Sequence, residues 1–200
     1  MAPGHGKTQR AYLWAYRRHD LEGDPPRVVF DYPVSRAGRQ AAHFLQGWQG
    51  PLLVDDAAGH QVLFQNSGII ALGCMTPARR KFFERAQATP RPIATRALRQ
   101  IARRYRSAAR TVDWRIAERQ AFRARHAQPR RRLYHAWLVT TRLTVPDGCG
   151  AAKAIDYTLR RWPALRRYAA TGHLPIDNNP AENVIRPIAL GKKNGLFTGS

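Results

Sequence analysis

The chain is poor in cysteine, in acidic residues and in long apolar runs. Cys74 and Cys149 are the two cysteines in 200 residues. They are far apart and form no CxxC pair, which excludes a disulfide scaffold and a zinc ribbon. No apolar run approaches the roughly 18 residues that a membrane span needs. The first ten residues lack the apolar core of a secretory signal. Together these absences predict a cytoplasmic protein.

The scarcity of acid leaves a large positive charge. The sequence has 13 Asp and Glu against 34 Lys and Arg, which gives a formal net charge of +21. Hydrophobic residues make up 44%, and this fraction excludes a wholly disordered basic tail. Such a charge on a globular chain predicts a polyanionic partner, with nucleic acid as the default. A ribosome-like or merely soluble basic protein is the alternative.

Much of this charge falls in residues 91–132, which hold 14 arginines and two acidic residues. Apolar residues recur there at steps of three and four and predict a helical stripe. The stripe consists of Leu98, Ile101, Tyr105, Ala108, Val112 and Ile116. Arginines fill the other faces, and their planar forks suit phosphate. We therefore predict DNA contacts at Arg99, Arg103, Arg106 and Arg110; a solvated helix face is the alternative.

The first third of the chain reads as α/β. Periodicity and turn residues predict strands at 11–16, 27–34, 51–55 and 69–72. They also predict a helix capped by Ser35, a short helix through Leu63 and a helix over 78–88. This order indicates a mixed sheet with covering helices. From about 91 to 173 the pattern is nearly all helical, including 133–141 and 151–170, with a turn at 146–148.

Two acidic residues occupy positions suited to chemistry. Asp55 lies where a buried strand is predicted to end, and the carboxyl ends of strands in open sheets gather ligands. Glu182 lies in a helix opened by Asp177-Asn178-Asn179-Pro180, with Asn179 as the predicted N-cap. Carboxylate oxygens are what Mg²⁺ requires, and two such ions assist attack on a phosphodiester.

A purely structural role is the alternative for both acidic residues. Asn179 and Glu182 have the spacing of a capping box, in which the glutamate only returns a hydrogen bond to the backbone. An Asp pair such as Asp55-Asp56 after a strand is often a turn or a helix cap. The chain has no GxxxxGK[ST], HExxH or GxSxG motif, so those nucleotide, zinc and serine chemistries have no support.

Several stretches together resemble the insertion sequence 66 family of bacterial transposases. The strongest is LPIDNNPAENVIRPIALGKKNGLFTGS at 174–200, with a DNN-x-x-E block followed by an RPIALGKKN step. AKAIDYTLRRWPALRRY at 152–168 is also similar. So are AYLWAY, SRAGRQAAHFL, LLVDDAAGHQVLF and GCMTPARRKFFE. The resemblance covers nearly all of the chain in the family's order.

The resemblance implies an RNase H-like catalytic core with an Asp-Asp-Glu triad, interrupted by a helical insertion. Asp55 stands at the family's second catalytic Asp and Glu182 at its catalytic Glu. Residues 1–90 then form a partial core, 91–172 the basic insertion, and 173–200 the C-terminal core helix. The implied reaction is Mg²⁺- or Mn²⁺-dependent hydrolysis at a transposon end, followed by strand transfer into target DNA.

The sequence departs from the family pattern at several points. The family's first catalytic Asp lies upstream of the strand AYLWAY, but no acidic residue precedes Asp20 here. We therefore expect the first strand and its carboxylate to be missing, and the chain to be inactive alone. The family's Cys-x-x-His step ends here in Pro77, and a common Trp is replaced by Gly195. Asp31, on VVFDY, is a weak candidate for a replacement ligand.

Three functions remain open. The first is a transposase catalytic domain, bound to transposon ends and target DNA as a homo-oligomer or with other transposition subunits in the nucleoid. The second is a non-catalytic DNA-binding remnant. For both, Arg186, Lys192 and Lys193 are further predicted DNA contacts. The third, an RNA-binding protein, lacks an RNP1-type aromatic pattern.

Overall fold

The computed structural model describes residues 12–19, 25–32, 38–54, 63–64, 68–88 and 92–194. These residues form a mixed α/β structure that is mostly helical with small sheets. Among them, no helix is both long and apolar enough to cross a membrane.

The helices and strands follow one another in an order close to the predicted one. They are β1 Trp14–Arg17, β2 Val28–Asp31, α1 Gly38–Phe44, β3 Gly50–Val54, β4 Ile69–Gly73, α2 Met75–Ala88, α3 Pro92–Ala109, α4 Ile116–Phe122, α5 Gln128–Leu143, α6 Gly150–Arg160, α7 Trp162–Leu165 and α8 Asn179–Asn194. A π-helical turn, Arg123–Ala127, joins α4 to α5, and a 3₁₀ turn, Arg167–Ala170, follows α7. The predicted helix cap Ser35 and the predicted site residue Asp55 lie outside the described residues, as does most of the short helix predicted through Leu63.

The strands form two small sheets. β1 and β2 pair antiparallel, with Trp14 opposite Asp31. β3 and β4 pair parallel, with Val54 opposite Gly73. The expected single mixed sheet is therefore wrong for the described strands, because each of them pairs with one neighbour and none bridges the two pairs. The α/β class itself is confirmed.

One hydrophobic core joins the parallel pair to the helices. Its fully buried side chains come from α2, α3, α5 and α6, and include Phe82, Ile101, Leu138 and Ile155. Leu72 of β4 belongs to the same cluster. Of the helices predicted as an insertion, α7 packs directly against β4. The division into 1–90, 91–172 and 173–200 stays a prediction.

The predicted apolar stripe on α3 is found, but it is shorter. Ile101 is fully buried, and Leu98, Tyr105 and Ala108 pack against the core. The helix then ends at Ala109, so Val112 falls outside the stripe and is 65% exposed.

The turn predicted at 146–148 joins α5 to α6. Gly148 adopts a φ of 72°, a conformation that favours glycine. Arg142 of α5 bonds Asp147 in the turn and donates from Nε to Asp156 of α6 at 2.6 Å. The helix predicted over 151–170 ends at Arg160, and the separate short helix α7 begins at Trp162 with Pro163 in its first turn, where proline is tolerated.

Candidate functional site

The Asp-Asn-Asn block forms the start of α8. The backbone amides of Ala181 and Glu182 donate to the carbonyl of Asn178, at 2.9 and 3.0 Å. Asn178 is therefore the N-cap, because its carbonyl accepts the first helical bond. The predicted cap, Asn179, is wrong by one residue and forms the first turn instead.

Asp177 fixes this helix start. Its carboxylate is buried and accepts the backbone N–H of Asn179 at 3.1 Å and the side-chain amide of Asn179 at 2.8 Å. The capping-box alternative is therefore not what forms, since the Asn179 amide donates to Asp177 rather than to Glu182. The Glu182 carboxylate is exposed and makes no hydrogen bond or ion pair with a described residue.

Residues that follow β4 hold the block from the other side. The Cys74 thiol donates to Oδ1 of Asn178 at 2.8 Å, and the Met75 amide donates to the carbonyl of Ile176 at 3.2 Å. The Thr76 hydroxyl lies 3.4 Å from Oδ1 of Asn179. In the sequence these positions indicated only a family resemblance and, at Pro77, a departure from the family motif. Their place at the carboxyl end of a strand was the signal that they belong to the site.

The donors around the block are uncharged at neutral pH. Burial raises the pKa of the Cys74 thiol, and the Asp177 carboxylate adds to this rise. Burial likewise raises the pKa of Tyr105, whose hydroxyl lies 3.3 Å from that of Thr76. The thiol therefore stays protonated and can donate to Asn178, so α8 is anchored without an ion pair at these contacts.

The end of the parallel sheet lies at this anchor. Val54 pairs with Gly73, so β3 and β4 end together, and Cys74 follows directly. Asp55 comes next after Val54 in the sequence but lies outside the described residues. The structure thus places Glu182 in α8, and the pairing of Glu182 with Asp55 stays a prediction.

The donor set near Glu182 does not by itself make a magnesium site. Within the part of the chain that the structure describes, no three His, Cys, Asp or Glu side chains gather where they could hold a metal ion. The Asp177 carboxylate is already occupied by Asn179. Mg²⁺ needs several oxygen ligands in near-octahedral geometry, and Glu182 offers one carboxylate.

Comparison with known proteins decides the family. The family model described as "Transposase IS66 family" matches residues 1–200. The chain belongs to this transposase family. Its catalytic state does not follow from membership alone.

Relatives of this IS66 family chain come from Sinorhizobium fredii. The uncharacterized protein y4jD is 29% identical over 99% of this chain and 40% of its own length. The uncharacterized protein y4qI is 31% identical over the whole chain and 39% of its own length. The chain thus spans about two fifths of these relatives. No solved structure matches it significantly.

In this IS66 family chain the four arginines predicted to contact DNA form a second, exposed stripe on α3, here called the arginine stripe. Arg99, Arg103 and Arg106 are exposed on α3, and Arg110 follows directly after it. Steps of four, three and four residues place all four on one helix face. Their side chains make no hydrogen bond or ion pair with any described residue, so the guanidinium groups are available to phosphates.

The remaining predicted DNA contacts lie on α8. Arg186 is exposed in the middle of that helix. Lys192 and Lys193 fall in its last turn, with side chains outside the described part of the structure. All three stay predicted DNA contacts.

Two arginines of the predicted insertion point inward instead, which sequence reasoning missed. Arg104 and Arg123 are each 6% exposed. Arg123 donates from Nη1 to the carbonyls of Tyr168, Thr171 and Leu174, at 2.7–2.8 Å. These two side chains serve the fold and do not belong to the exposed stripe.

Proposed function

We propose that this chain is part of a DNA transposase in which Asp55 and Glu182 act together on one phosphodiester. The supporting observation is the Cys74–Asn178 hydrogen bond, which ties the start of α8 to the end of β4. Since β3 and β4 end in register, the strand that leads to Asp55 ends at that same anchor. Family membership adds the RNase H-like fold as the expected frame.

The proposed reaction is hydrolysis at a transposon end, followed by attack of the freed 3′-OH on target DNA. A divalent ion, Mg²⁺ or Mn²⁺, supplies Lewis-acid stabilisation of the phosphate when bound. Asp55 and Glu182 would hold it. Family members use a third carboxylate upstream of the strand matching β1, and no acidic residue precedes Asp20 in these 200 residues. We therefore propose that these residues alone bind metal weakly and do not cut DNA.

Manganese titration tests the proposed pair without requiring cleavage. We expect the chain to bind Mn²⁺, and Asp55→Asn and Glu182→Gln each to weaken this binding about tenfold or more. Asp113→Asn is the matched control, because it removes an exposed carboxylate of the insertion. Equal affinity in Glu182→Gln and in the wild type, measured by calorimetry, would remove the assignment of Glu182.

A second candidate function, DNA binding without cutting, is favoured by the exposed arginine stripe on α3. Protein–DNA affinity falls with salt by about 0.9 log units per log unit for each phosphate neutralised. We expect Arg99→Gln with Arg106→Gln to reduce that slope, as measured by fluorescence anisotropy on a duplex. Arg125→Gln with Arg132→Gln removes the same charge from exposed positions outside the stripe.

Two results would count against this second function. One is the same slope in the stripe variant and in its control, since the stripe would then not be the contact surface. The other is displacement of the duplex by an equal concentration of ribosomal RNA, which would favour the RNA-binding alternative. Full cleavage by the 200 residues with Mg²⁺ would instead favour the catalytic function over the non-catalytic one.

A further inference from the structure

A pocket lined by arginines opens between α3 and the π-helical turn. Arg103 and Arg104 line it from α3, Arg123 from the turn and Arg130 from α5, and Tyr168 closes one side. None of the residues that line it is acidic. Four arginines therefore border one small concave site, and the described residues that line it include no carboxylate.

Two of these guanidinium groups are fixed in place. Arg104 donates from Nη1 to the carbonyl of Gln100 at 2.7 Å and from Nη2 to that of Arg130 at 3.2 Å. Arg123 donates from Nη1 to backbone carbonyls. Its Nε and Nη2 make no hydrogen bond with any described residue. Donors are thus left over on a rigid frame.

The buried charges lack a counterion. Burial lowers the pKa of both Arg104 and Arg123, and one neighbouring arginine adds to this at each, while the adjacent tyrosines oppose it in part. Carbonyl dipoles offset part of the cost of burying such a cation, but an unpaired buried charge remains unfavourable. An oxyanion would supply the missing charge and accept the spare N–H groups.

The rim of the pocket supplies two more cations. Arg103 and Arg130 are exposed, so they can close on a bound group. Arg103 also belongs to the exposed stripe on α3, so the stripe meets the pocket at this residue. A polyanion lying along that stripe would therefore bring its phosphates to the pocket.

We infer that this pocket binds a single phosphate group of a DNA backbone. The source of the phosphate rests on the proposed function, whereas the oxyanion chemistry rests on the pocket itself. Bound there, the phosphate would fix the position of the duplex on the basic helices. The contact carries no sequence information, because phosphates position a protein on DNA without specifying bases.

Titration with inorganic phosphate, and separately with a short duplex, tests the inference. The pocket variant is Arg103→Gln with Arg130→Gln. Its matched control, Arg125→Gln with Arg132→Gln, removes equal charge from exposed positions outside the pocket. We expect saturable phosphate binding by calorimetry, weakened about tenfold or more in the pocket variant and less than about twofold in the control.

Three outcomes would overturn the inference. Absence of phosphate binding by the wild type would remove the pocket as an oxyanion site. An equal loss in both variants would reduce it to general charge attraction. Phosphate binding that depends on the pocket, with duplex affinity no weaker in the pocket variant than in the control, would assign it to a free anion. Loss of the manganese site would not change the phosphate or duplex affinities measured here. The proposed metal site and the proposed phosphate pocket can therefore be refuted independently.

Discussion

Arg123 holds the segment that leads into α8. Its Nη1 donates to three carbonyls, and the last of them belongs to Leu174, three residues before Asp177. Beside it, Arg119 donates to the carbonyls of Thr111 and Gly172, at 2.9 and 3.2 Å. The bonds to residues 168–174 hold the segment that precedes the Asp-Asn-Asn block.

We predict that Arg123→Met lowers the free energy of unfolding by about 3 kcal/mol or more. The methionine fills part of the space but leaves buried carbonyls without a donor, and each such loss costs about 1–3 kcal/mol. Arg125→Met changes an exposed arginine of the same turn and should stay within about 0.5 kcal/mol. Urea unfolding measures both. Equal stability of the two variants would mean that the carbonyls find water instead.

The sequence held more information about the arginines than our prediction used. The buried face of α3 repeats at steps of four, three and four residues, at Ala97, Ile101, Arg104 and Ala108. Arg104 therefore occupies a core position of the apolar stripe. Its neighbour Arg103 falls on the exposed face. Burial of Arg104 was therefore readable from periodicity. Burial of Arg123 was not, since it depends on carbonyls about 50 residues away in the sequence.

At the scale of elements, the loop before α8 packs tightly against the start of α4. Gly172 is buried there, and a β-carbon at this position would overlap the carbonyl oxygen of Ile116 and crowd its side chain. The contact is to backbone, which cannot move aside as a flexible side chain can. Only glycine allows this close approach between α4 and the loop that leads to α8.

We predict opposite effects for two glycine-to-alanine changes. Gly172→Ala should destabilise the protein by about 2 kcal/mol or more, because overpacking against backbone costs roughly 1–3 kcal/mol. Gly191→Ala lies in α8 with nothing within 4 Å of the added carbon, and should stabilise by about 0.5–1 kcal/mol. Thermal unfolding measures both changes. A neutral Gly172→Ala would show that the loop and α4 can separate freely.

The elements themselves were more predictable than their pairing. Short apolar runs bounded by glycine and acidic residues identified β3 and β4, and proline marked the breaks at α3 and α7. Strand pairing depends on contacts distant in sequence, so the separation into two sheets was not readable. The site shows the same limit. The Asp-Asn-Asn block was recognisable, whereas its anchor at Cys74 lies 104 residues away.

At the scale of the whole molecule, tyrosines accompany the buried arginines in the core. The Arg104 guanidinium lies 4.2 Å from the ring centre of Tyr134, and that of Arg123 lies 5.8 Å from the ring of Tyr168. Aromatic faces attract cations, most strongly where water is excluded. They stabilise positive charge without adding a carboxylate, which suits a chain that is short of acid.

This arrangement predicts a loss of stability at alkaline pH. Burial raises the pKa of Tyr16 to about 12 and raises the pKa of Tyr105, Tyr134 and Tyr168 as well. Above about pH 10 an unfolded tyrosine loses its proton while a buried one keeps it, so unfolding becomes favoured as pH rises. The stabilisation is complete below pH 10 and declines by at most about 1.4 kcal/mol per pH unit for each tyrosine.

Tyr134→Phe isolates one contribution to this decline. The Tyr134 hydroxyl is buried and has no hydrogen-bond partner among the described residues, so its removal should not destabilise the protein at neutral pH. The phenyl ring keeps its contact with Arg104. The buried arginines have the opposite effect on the pH dependence of stability, since burial lowers their pKa. They are present in both the wild type and the variant, so they do not contribute to the difference between the two. We expect the variant to lose stability less steeply above pH 10 in urea unfolding, and parallel profiles would refute the assignment to Tyr134.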